Sequence, residues 1–284
     1  MKTITTIKKD MEFNLGLGSL IEVLKNIAVS QYRTLEQKMK LFEKFLVSIE
    51  GFFEFIDFSL VKHPFMNPGA TSQGVVAVTS DSGLLGGLNM QVVSAAVREL
   101  EKTPGRLIVI GERGKMYARE SKIPFVAFPG IKDEMRYAQA IQMRDYVVAK
   151  VLDGTIGALK VVFPRPVSFT VQKVEMASFL PFMPAAGQSS AGGAFVRDII
   201  LESRLEDIVE YLLTLWIGQK FFEIFGLSRL AEFAARYVHL EDSLRKLKEM
   251  DTKLRLQYFR VRHELIDRNM RELFSARLLY TSKM

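Results

Sequence analysis

A glycine-rich segment is the part of this chain whose residue types could bind a phosphate. It covers Ser80–Asn89, reads SDSGLLGGLN, and stands between the apolar run GVVAVTS and a helical pattern. Such turns hold phosphates because backbone amides and the start of a helix face the ligand. The segment contains neither G-x-G-x-x-G nor G-K-[ST], so it lacks the lysine that contacts β and γ phosphates. We therefore predict a structural turn and contact element, with no cofactor.

Three histidines are the remaining candidates for acid–base or metal chemistry. His63 precedes a proline, while His239 and His263 lie among charged residues in a helical pattern. None accompanies a plausible nucleophile or a metal-ligand spacing. The chain has no cysteine, which excludes disulfides, thiolate metal sites and cysteine catalysis. We expect no catalytic residue and no metal site.

The middle of the chain alternates between strand and helix patterns. Short runs rich in β-branched residues predict strands at 74–80, 106–111, 123–128 and 158–163, separated by helices at 88–101, 112–121 and 132–152. This alternation predicts a Rossmann-like α/β domain with a mainly parallel sheet. In the segment 167–181, apolar residues alternate over Val167, Phe169 and Val171, which predicts an antiparallel edge strand. Residues 187–193 read as a flexible loop.

Two heptad-periodic helices flank this α/β segment. Their apolar positions are Leu35, Met39, Phe42, Leu46, Ile49, Phe53 and Ile56 in the first, and Leu230, Phe233, Tyr237, Leu240, Leu244, Leu247, Leu254, Tyr258, Val261 and Leu265 in the second. A 3.5-residue repeat keeps one stripe facing a partner helix. Because a folded insert separates the helices, we predict a long antiparallel coiled coil formed by the two ends of one chain. The predicted divisions are 1–60, 70–195 and 200–284. We expect the first helix to reach about Phe58, and we expect Gly16 and Gly18 to weaken it.

Composition narrows the possible functions. Hydrophobic residues make up 48% of the chain and charged residues 25%, as in a folded globular protein. The net charge is +7, with the basic excess concentrated in the final helix. The N-terminus lacks an apolar signal core, and Gln219, Lys220 and Glu223 interrupt the most apolar later stretch. We expect a reducing, cytoplasmic compartment and no direct insertion into a membrane.

The glycine-rich segment also resembles a motif of a known family. It is similar to the S-D-x-G-L-C-G-x-x-N motif of the γ subunit of F-type ATP synthase, and Leu85 stands where that family often has cysteine. The matching residues are Ser80, Asp81, Gly83, Leu84, Gly86, Gly87 and Asn89.

Two further blocks extend the resemblance over nearly the whole chain. The stretch AEFAARYVHLEDSLRKL is similar to the family's S-E-x-A-A-R-M-x-A-M block through Glu232, Ala234, Ala235 and Arg236. The pattern Y-N-x-x-R-Q-x-x-I-T-x-E matches through Tyr258, Arg262 and Ile266, with His263 replacing glutamine. Near the N-terminus the matches are mainly Ile7, Ala28, Ser30 and Arg33.

The resemblance implies a rotor shaft that couples ion flow through the membrane c-ring to ATP synthesis or hydrolysis at the β subunits. It implies a non-catalytic subunit, peripheral on the cytoplasmic face of the inner (plasma) membrane, whose partners are the α and β subunits, the ε subunit and the c-ring. The implied subunit-contact residues are Leu24, Ala28, Arg33, Asp81, Gly83, Leu85, Gly86, Gly87, Asn89, Glu232, Arg236, Tyr258, Arg262, His263 and Ile266.

Two other classes of function stay open at this point. One is a nucleotide-binding α/β enzyme with a ligand at Gly83–Gly87 and a coiled coil that dimerises it; the missing phosphate-binding residues count against it. The other is a nucleic-acid-binding coiled coil that uses Arg255, Arg260, Arg262, Arg268 and Arg271. The lack of an aromatic and basic platform counts against that class, so we expect no nucleic acid as a partner.

Overall fold

The computed structural model describes residues 3–53, 56, 58, 61–70, 72–183 and 203–281, apart from the side chains of residues 41–48 and 276–281. The side chains of the predicted heptad residues Phe42 and Leu46, and the whole predicted loop 187–193, therefore lie outside the described part. The chain divides into two compact units. Unit 1 comprises Met1–Ile27 and Tyr237–Met284, and unit 2 comprises Ala28–Arg236. The three-part division predicted from the sequence stays a prediction.

Ten helices and strands follow one another in the described residues. In chain order they are α1 (Ile4–Phe52), β1 (Gln73–Val78), α2 (Leu88–Lys102), β2 (Gly105–Ile110), α3 (Glu112–Glu120), β3 (Phe125–Phe128), α4 (Arg136–Leu152), β4 (Ala158–Pro166), β5 (Gln172–Leu180) and α5 (Leu205–Thr281).

A five-stranded sheet in the order β3-β2-β1-β4-β5 forms the centre of unit 2. The first four strands are parallel, with Val75 of β1 opposite Leu107 of β2, whereas β5 pairs antiparallel with β4. Every residue of β1 is buried, as expected for a strand covered on both faces. The predicted mainly parallel sheet with an antiparallel edge strand is confirmed.

Alternate residues of β1 enter two separate cores. Val75 and Ala77 pack with Val92 and Ala96 of α2 on one face of the sheet. Val76 and Val78 pack on the other face, in a larger core that also contains Phe221 of α5. That larger core takes residues from α4, from the end of α1 and from the first half of α5. The sheet is thus held between two helical layers.

The two long helices pack against each other in an antiparallel sense within each unit. In unit 1, Ile21 packs with Leu240, Leu244 and Leu247. In unit 2, Leu35 of α1 packs with Leu230 and Phe233 of α5. Low residue numbers in α1 meet high residue numbers in α5, so the predicted pairing of the chain's own ends is confirmed. Gly18 does not break α1, because Leu244 and Leu247 occupy the space beside it.

The first helix is shorter than predicted, since it ends at Phe52 and not near Phe58. Phe53, Ile56 and Phe58 are all buried in the larger core. In a continuing helix Phe53 and Ile56 would share one face and Phe58 would lie on another, and only one of those faces could meet the core. The chain therefore leaves the helix to bury them.

The predicted edge strand also begins later than its apolar alternation suggested. Val167, Phe169 and Val171 lie in the turn between β4 and β5, where Val167 N donates to Val171 O at 2.9 Å. Phe169 contacts the ring of Tyr32 on α1, with ring centroids 4.9 Å apart. The apolar spacing therefore reflects a turn that packs against a helix.

A buried carboxylate in α2 leads to a prediction about acid stability. Glu99 is 6% exposed and accepts hydrogen bonds from Lys160 and Lys102. These hydrogen bonds lower the pKa of the Glu99 carboxyl below its ordinary value of 4.5, and the bond from Lys160 contributes most. A depressed pKa gives stability that is present above the unfolded-state pKa and is lost as the pH falls through the folded-state pKa.

We expect Glu99→Gln to flatten the fall in unfolding free energy below about pH 5. Urea unfolding of the full chain at a series of pH values measures this. Glu101→Gln, at an exposed position of the same helix, is the control and should leave the fall in unfolding free energy at acidic pH unchanged. If this fall is also unchanged in Glu99→Gln, the Glu99 carboxylate does not cause it.

Candidate functional site

The glycine-rich segment lies at the carboxyl end of β1, between that strand and α2. In the strand order β3-β2-β1-β4-β5 the chain first adds strands on one side of β1 and then on the other. The carboxyl ends of β1 and β4 therefore form the switch point at which open α/β sheets usually bind ligands. The sequence places its glycines at this point of the sheet.

Side chains from within and beside the segment fix its backbone. Ser80 N donates to Asn89 Oδ1 at 3.1 Å, and Asn89 Nδ2 donates to Ser80 Oγ at 2.9 Å. Asp81 Oδ1 accepts from Glu112 N at 2.9 Å and so satisfies a free amide at the start of α3. A side chain on Gly130 would overlap the Asp81 carboxylate. The residues that match the family motif thus make specific contacts inside the chain.

The turn itself needs left-handed backbone. Gly86 has φ 58° and Gly87, which caps α2, has φ 90°. These angles favour glycine because a Cβ would clash with the backbone. Leu84 adopts φ 65° despite its side chain, and its side chain is 50% exposed. The turn therefore holds a strained apolar residue at the surface, an arrangement that is common at functional sites.

Glu232 of α5 is the centre of an ion-pair network against this turn. It is 4% exposed and pairs with Arg229 and, at 2.6 Å, with Arg236. Ser82 Oγ donates to Glu232 Oε1 at 2.9 Å and accepts from Arg236 at 2.6 Å. Arg229 also donates to both oxygens of Asp133, at 3.0 and 3.2 Å. One buried carboxylate therefore links the turn to α5, and Arg229 extends the link to the segment before α4.

The pKa of Arg229 reflects this network. Burial by itself would lower the pKa of the guanidinium, but the hydrogen bond to Asp133 and the charge of Glu232 raise it above its ordinary value. Arg229 therefore stays protonated.

An apolar contact accompanies the ion pairs. Leu85 and Leu88 pack against Ala231 and Ala235 of α5. The small alanine side chains let the turn approach the helix closely, while Gly86 of the turn stays exposed. The arrangement forms a platform with Leu84 and Asp81 exposed on it. The carboxylate that accepts from the Ser82 hydroxyl is already paired with two arginines.

The structure thus brings two of the predicted groups of site residues together in unit 2. Asp81, Gly83, Leu85, Gly86, Gly87 and Asn89 lie in the turn, and Glu232 and Arg236 lie on the segment of α5 that contacts it. Leu85, Asn89 and Glu232 are buried, so they shape the platform from within. Ala28 is buried and Arg33 exposed on the part of α1 that belongs to unit 2.

The other predicted residues lie in unit 1. Leu24 packs against the cluster of Ile21 and Leu240. Beside it Lys25 pairs with Glu241 at 2.7 Å, which ties the two helices together. Tyr258 is half-buried, with the Lys8 ammonium 5.9 Å from its ring centroid. Arg262, His263 and Ile266 are exposed.

Three residues of the network escaped the sequence analysis, namely Ser82, Arg229 and Asp133. Arg229 stands three positions before Glu232, a spacing that places two side chains on one helix face and could have indicated the pair. Ser82 and Asp133 carry no such local signal, because their partners are distant in sequence.

Comparisons with known proteins agree with this geometry. A model that describes an ATP synthase family matches residues 5–277. The chain belongs to this ATP synthase family. Curated family members of similar sequence include the ATP synthase gamma chain of Symbiobacterium thermophilum, 28% identical over 220 residues, which are 75% of each chain. That of Clostridium pasteurianum is 21% identical over 278 residues, covering 96% of this chain and 97% of the relative. The resemblance stated from the motifs is confirmed.

Solved structures of ATP synthases share the fold of this family member. The rotor of Euglena gracilis mitochondrial ATP synthase gives a TM-score of 0.68 at 17% identity, covering 93% of this chain and 99% of that one. A central-stalk chain of Tetrahymena thermophila mitochondrial ATP synthase gives 0.60 at 17% identity, covering 79% and 99%. Terminal helices around a mainly parallel sheet are thus common to these proteins.

Two further observations concern the membrane and metals. Within the residues that the structure describes, no helix is both long and apolar enough to span a membrane. In the same part of the chain, no three His, Asp or Glu side chains are grouped so that they could hold a metal ion.

Proposed function

We propose that this chain is the γ subunit that forms the central rotor shaft of an F-type ATP synthase. The observation that carries the proposal is membership of the ATP synthase family over residues 5–277, together with the paired long helices of this chain. As a shaft the chain is a non-catalytic subunit. It couples ion translocation through the membrane c-ring to ATP synthesis or hydrolysis at the β subunits.

The lengths and burial of the two helices suit a shaft. A rotor must be stiff along its axis and asymmetric around it, so that each catalytic site meets a different surface as it turns. Heptad packing of Ile21 with Leu240 and Leu244 supplies stiffness. Asymmetry arises because α5 has 77 residues and α1 has 49. All residues of α5 from 262 to 275 are exposed, and they offer a surface for weak, repeated contacts.

The α and β subunits are the partners proposed for the exposed predicted residues. Arg33, Arg262, His263 and Ile266 are accessible on the helices, and Asp81 and Gly86 are accessible on the platform. The buried residues Leu85, Asn89 and Glu232 hold the platform in shape. A basic surface also attracts acidic partner segments and speeds encounter without a deep interface.

The ε subunit and the c-ring complete the proposed set of partners, with the chain peripheral on the cytoplasmic face of the plasma membrane. This part rests on the family resemblance. The test is affinity purification of the tagged full chain from its native cells. We expect α and β subunits to copurify in fixed ratio; their absence from a purified, folded chain would contradict the proposal.

A substitution at Arg262 tests the proposed shaft contact. On a helix Arg262 shares a face with Tyr258 and Ile266, one turn away on either side. If Arg262 meets a partner carboxylate, its loss removes a charge-assisted contact of about 2 kcal/mol. We expect Arg262→Ala to leave thermal unfolding of the isolated chain unchanged and to reduce rotation-coupled ATP turnover of the reconstituted complex.

The matched control is Arg98→Ala, an exposed arginine on α2, which should affect neither quantity. Wild-type assembly and coupled turnover in Arg262→Ala would show that this arginine is only a surface residue.

A further inference from the structure

A small pocket in unit 2 lies between α1 and the start of α4. Its volume is about 180 Å³. The lining residues are Ser30, Gln31, Thr34, Leu35 and Lys38 of α1, with Asp133 and Arg136 on the other side. Hydroxyl, amide and ammonium groups thus line the same space as an arginine, and this space is large enough for a small ion.

Arg136 is a buried cation without a hydrogen-bonding counter-ion. It is 5% exposed, and its Nε and Nη1 have no hydrogen-bond partner among the described residues. The guanidinium lies over the Phe222 ring, 4.4 Å from the centroid. Burial lowers the pKa of Arg136 below its ordinary value, against the opposing charge of Asp133. Buried charges are normally paired, so an anion beside this guanidinium would be stabilised.

The surrounding carboxylates are already occupied. Asp133 directs both oxygens to Arg229, and Glu232 is shared by Arg229 and Arg236. Among the described side chains none forms an ion pair with Lys38. The two carboxylates of Asp133 and Glu232 are thus outnumbered by four positively charged side chains, those of Arg136, Arg229, Arg236 and Lys38. This imbalance leaves an excess of positive charge around the pocket.

The start of α4 adds to this excess. The cap residue Met135 makes no side-chain capping bond, and the first turn contains no acidic residue. The first amides of a helix lack partners within it and carry partial positive charge. Anions bind at such helix ends, and here a buried, unpaired arginine stands at the same place.

We propose that this pocket binds a small oxyanion of the inorganic phosphate class, held by Arg136 and Lys38 with hydroxyl donors from Ser30 and Thr34. Pockets for drug-sized ligands measure roughly 300 to 1,000 Å³, so this one fits the ion and not a nucleotide. A bound oxyanion would bridge α1 and α4 and hold them together. The proposal stands independently of the rotor function.

The test is calorimetric titration of inorganic phosphate into the full chain, with sodium chloride used to keep the ionic strength constant. We expect one binding site per chain. Because Arg136 is buried and its replacement could disturb folding, the exposed Lys38 is substituted. Loss of one hydrogen bond to a charged group should weaken phosphate binding about tenfold in Lys38→Met.

The matched control is Lys40→Met, which removes the same charge from an exposed position of α1 that does not line the pocket. It should bind phosphate like the wild type. The proposal is overturned if phosphate produces no specific heat of binding, or if both substitutions weaken binding equally. Tighter binding of ADP than of phosphate would also overturn it.

Discussion

Replacing Glu232 by alanine should lower the free energy of unfolding of the full chain by about 3 to 5 kcal/mol. This is the cost of leaving a buried charge without its partner. Glu232 is 4% exposed, and its loss leaves Arg229 and Arg236 without their shared carboxylate. The hydroxyl of Ser82 loses its acceptor at the same time. Equilibrium urea unfolding measures the change.

The control for this experiment is Glu175→Ala, on the edge strand β5. Glu175 pairs with Arg165 at 3.2 Å, and both side chains are exposed. Surface pairs contribute about 0 to 1 kcal/mol, so the control should change little. Equal effects of the two substitutions would mean that Glu232 does not organise the platform.

The second large effect is expected at Leu85. The substitution Leu85→Asp would place a carboxylate in the apolar contact with Ala231 and Ala235, where Leu85 is 7% exposed. Burying an unpaired charge costs several kcal/mol. We expect the turn to separate from α5 and the free energy of unfolding to fall by about 3 kcal/mol or more.

The neighbouring residue supplies a matched control, because Leu84 is 50% exposed and has φ 65°. Aspartate tolerates this backbone conformation better than leucine does, so Leu84→Asp should be neutral or slightly stabilising. Native stability in Leu85→Asp, measured by the same urea titration, would contradict the proposed docking of the turn on α5.

The sheet was predictable because its residues follow local rules. The apolar runs of β1, β2 and β4 are buried on both faces and therefore read as strands. The pairing of the long helices was also predictable, since a heptad stripe requires a partner helix. Leu244 and Leu247 of α5 pack against Ile21 of α1. Local patterns failed where tertiary contacts override them, as at Phe169, which packs on Tyr32.

The candidate site was only partly predictable. Motif resemblance identified Asp81, Asn89, Glu232 and Arg236, but it does not say which residues touch. The link between Ser82 and Glu232 joins positions 150 residues apart, and no periodicity in the sequence reports such a contact. The sequence also gives no sign that Arg136 is buried and unpaired, because an arginine near a helix start is ordinarily exposed.

A single-molecule rotation assay tests whether this chain rotates as a shaft. The chain has no cysteine, so Glu101→Cys at an exposed position of α2 gives this chain a single cysteine for attaching a bead. The α and β subunits are fixed to the surface and ATP is added. We expect continuous rotation of the bead in one direction. Assembled complexes that hydrolyse ATP while the bead stays still would contradict it.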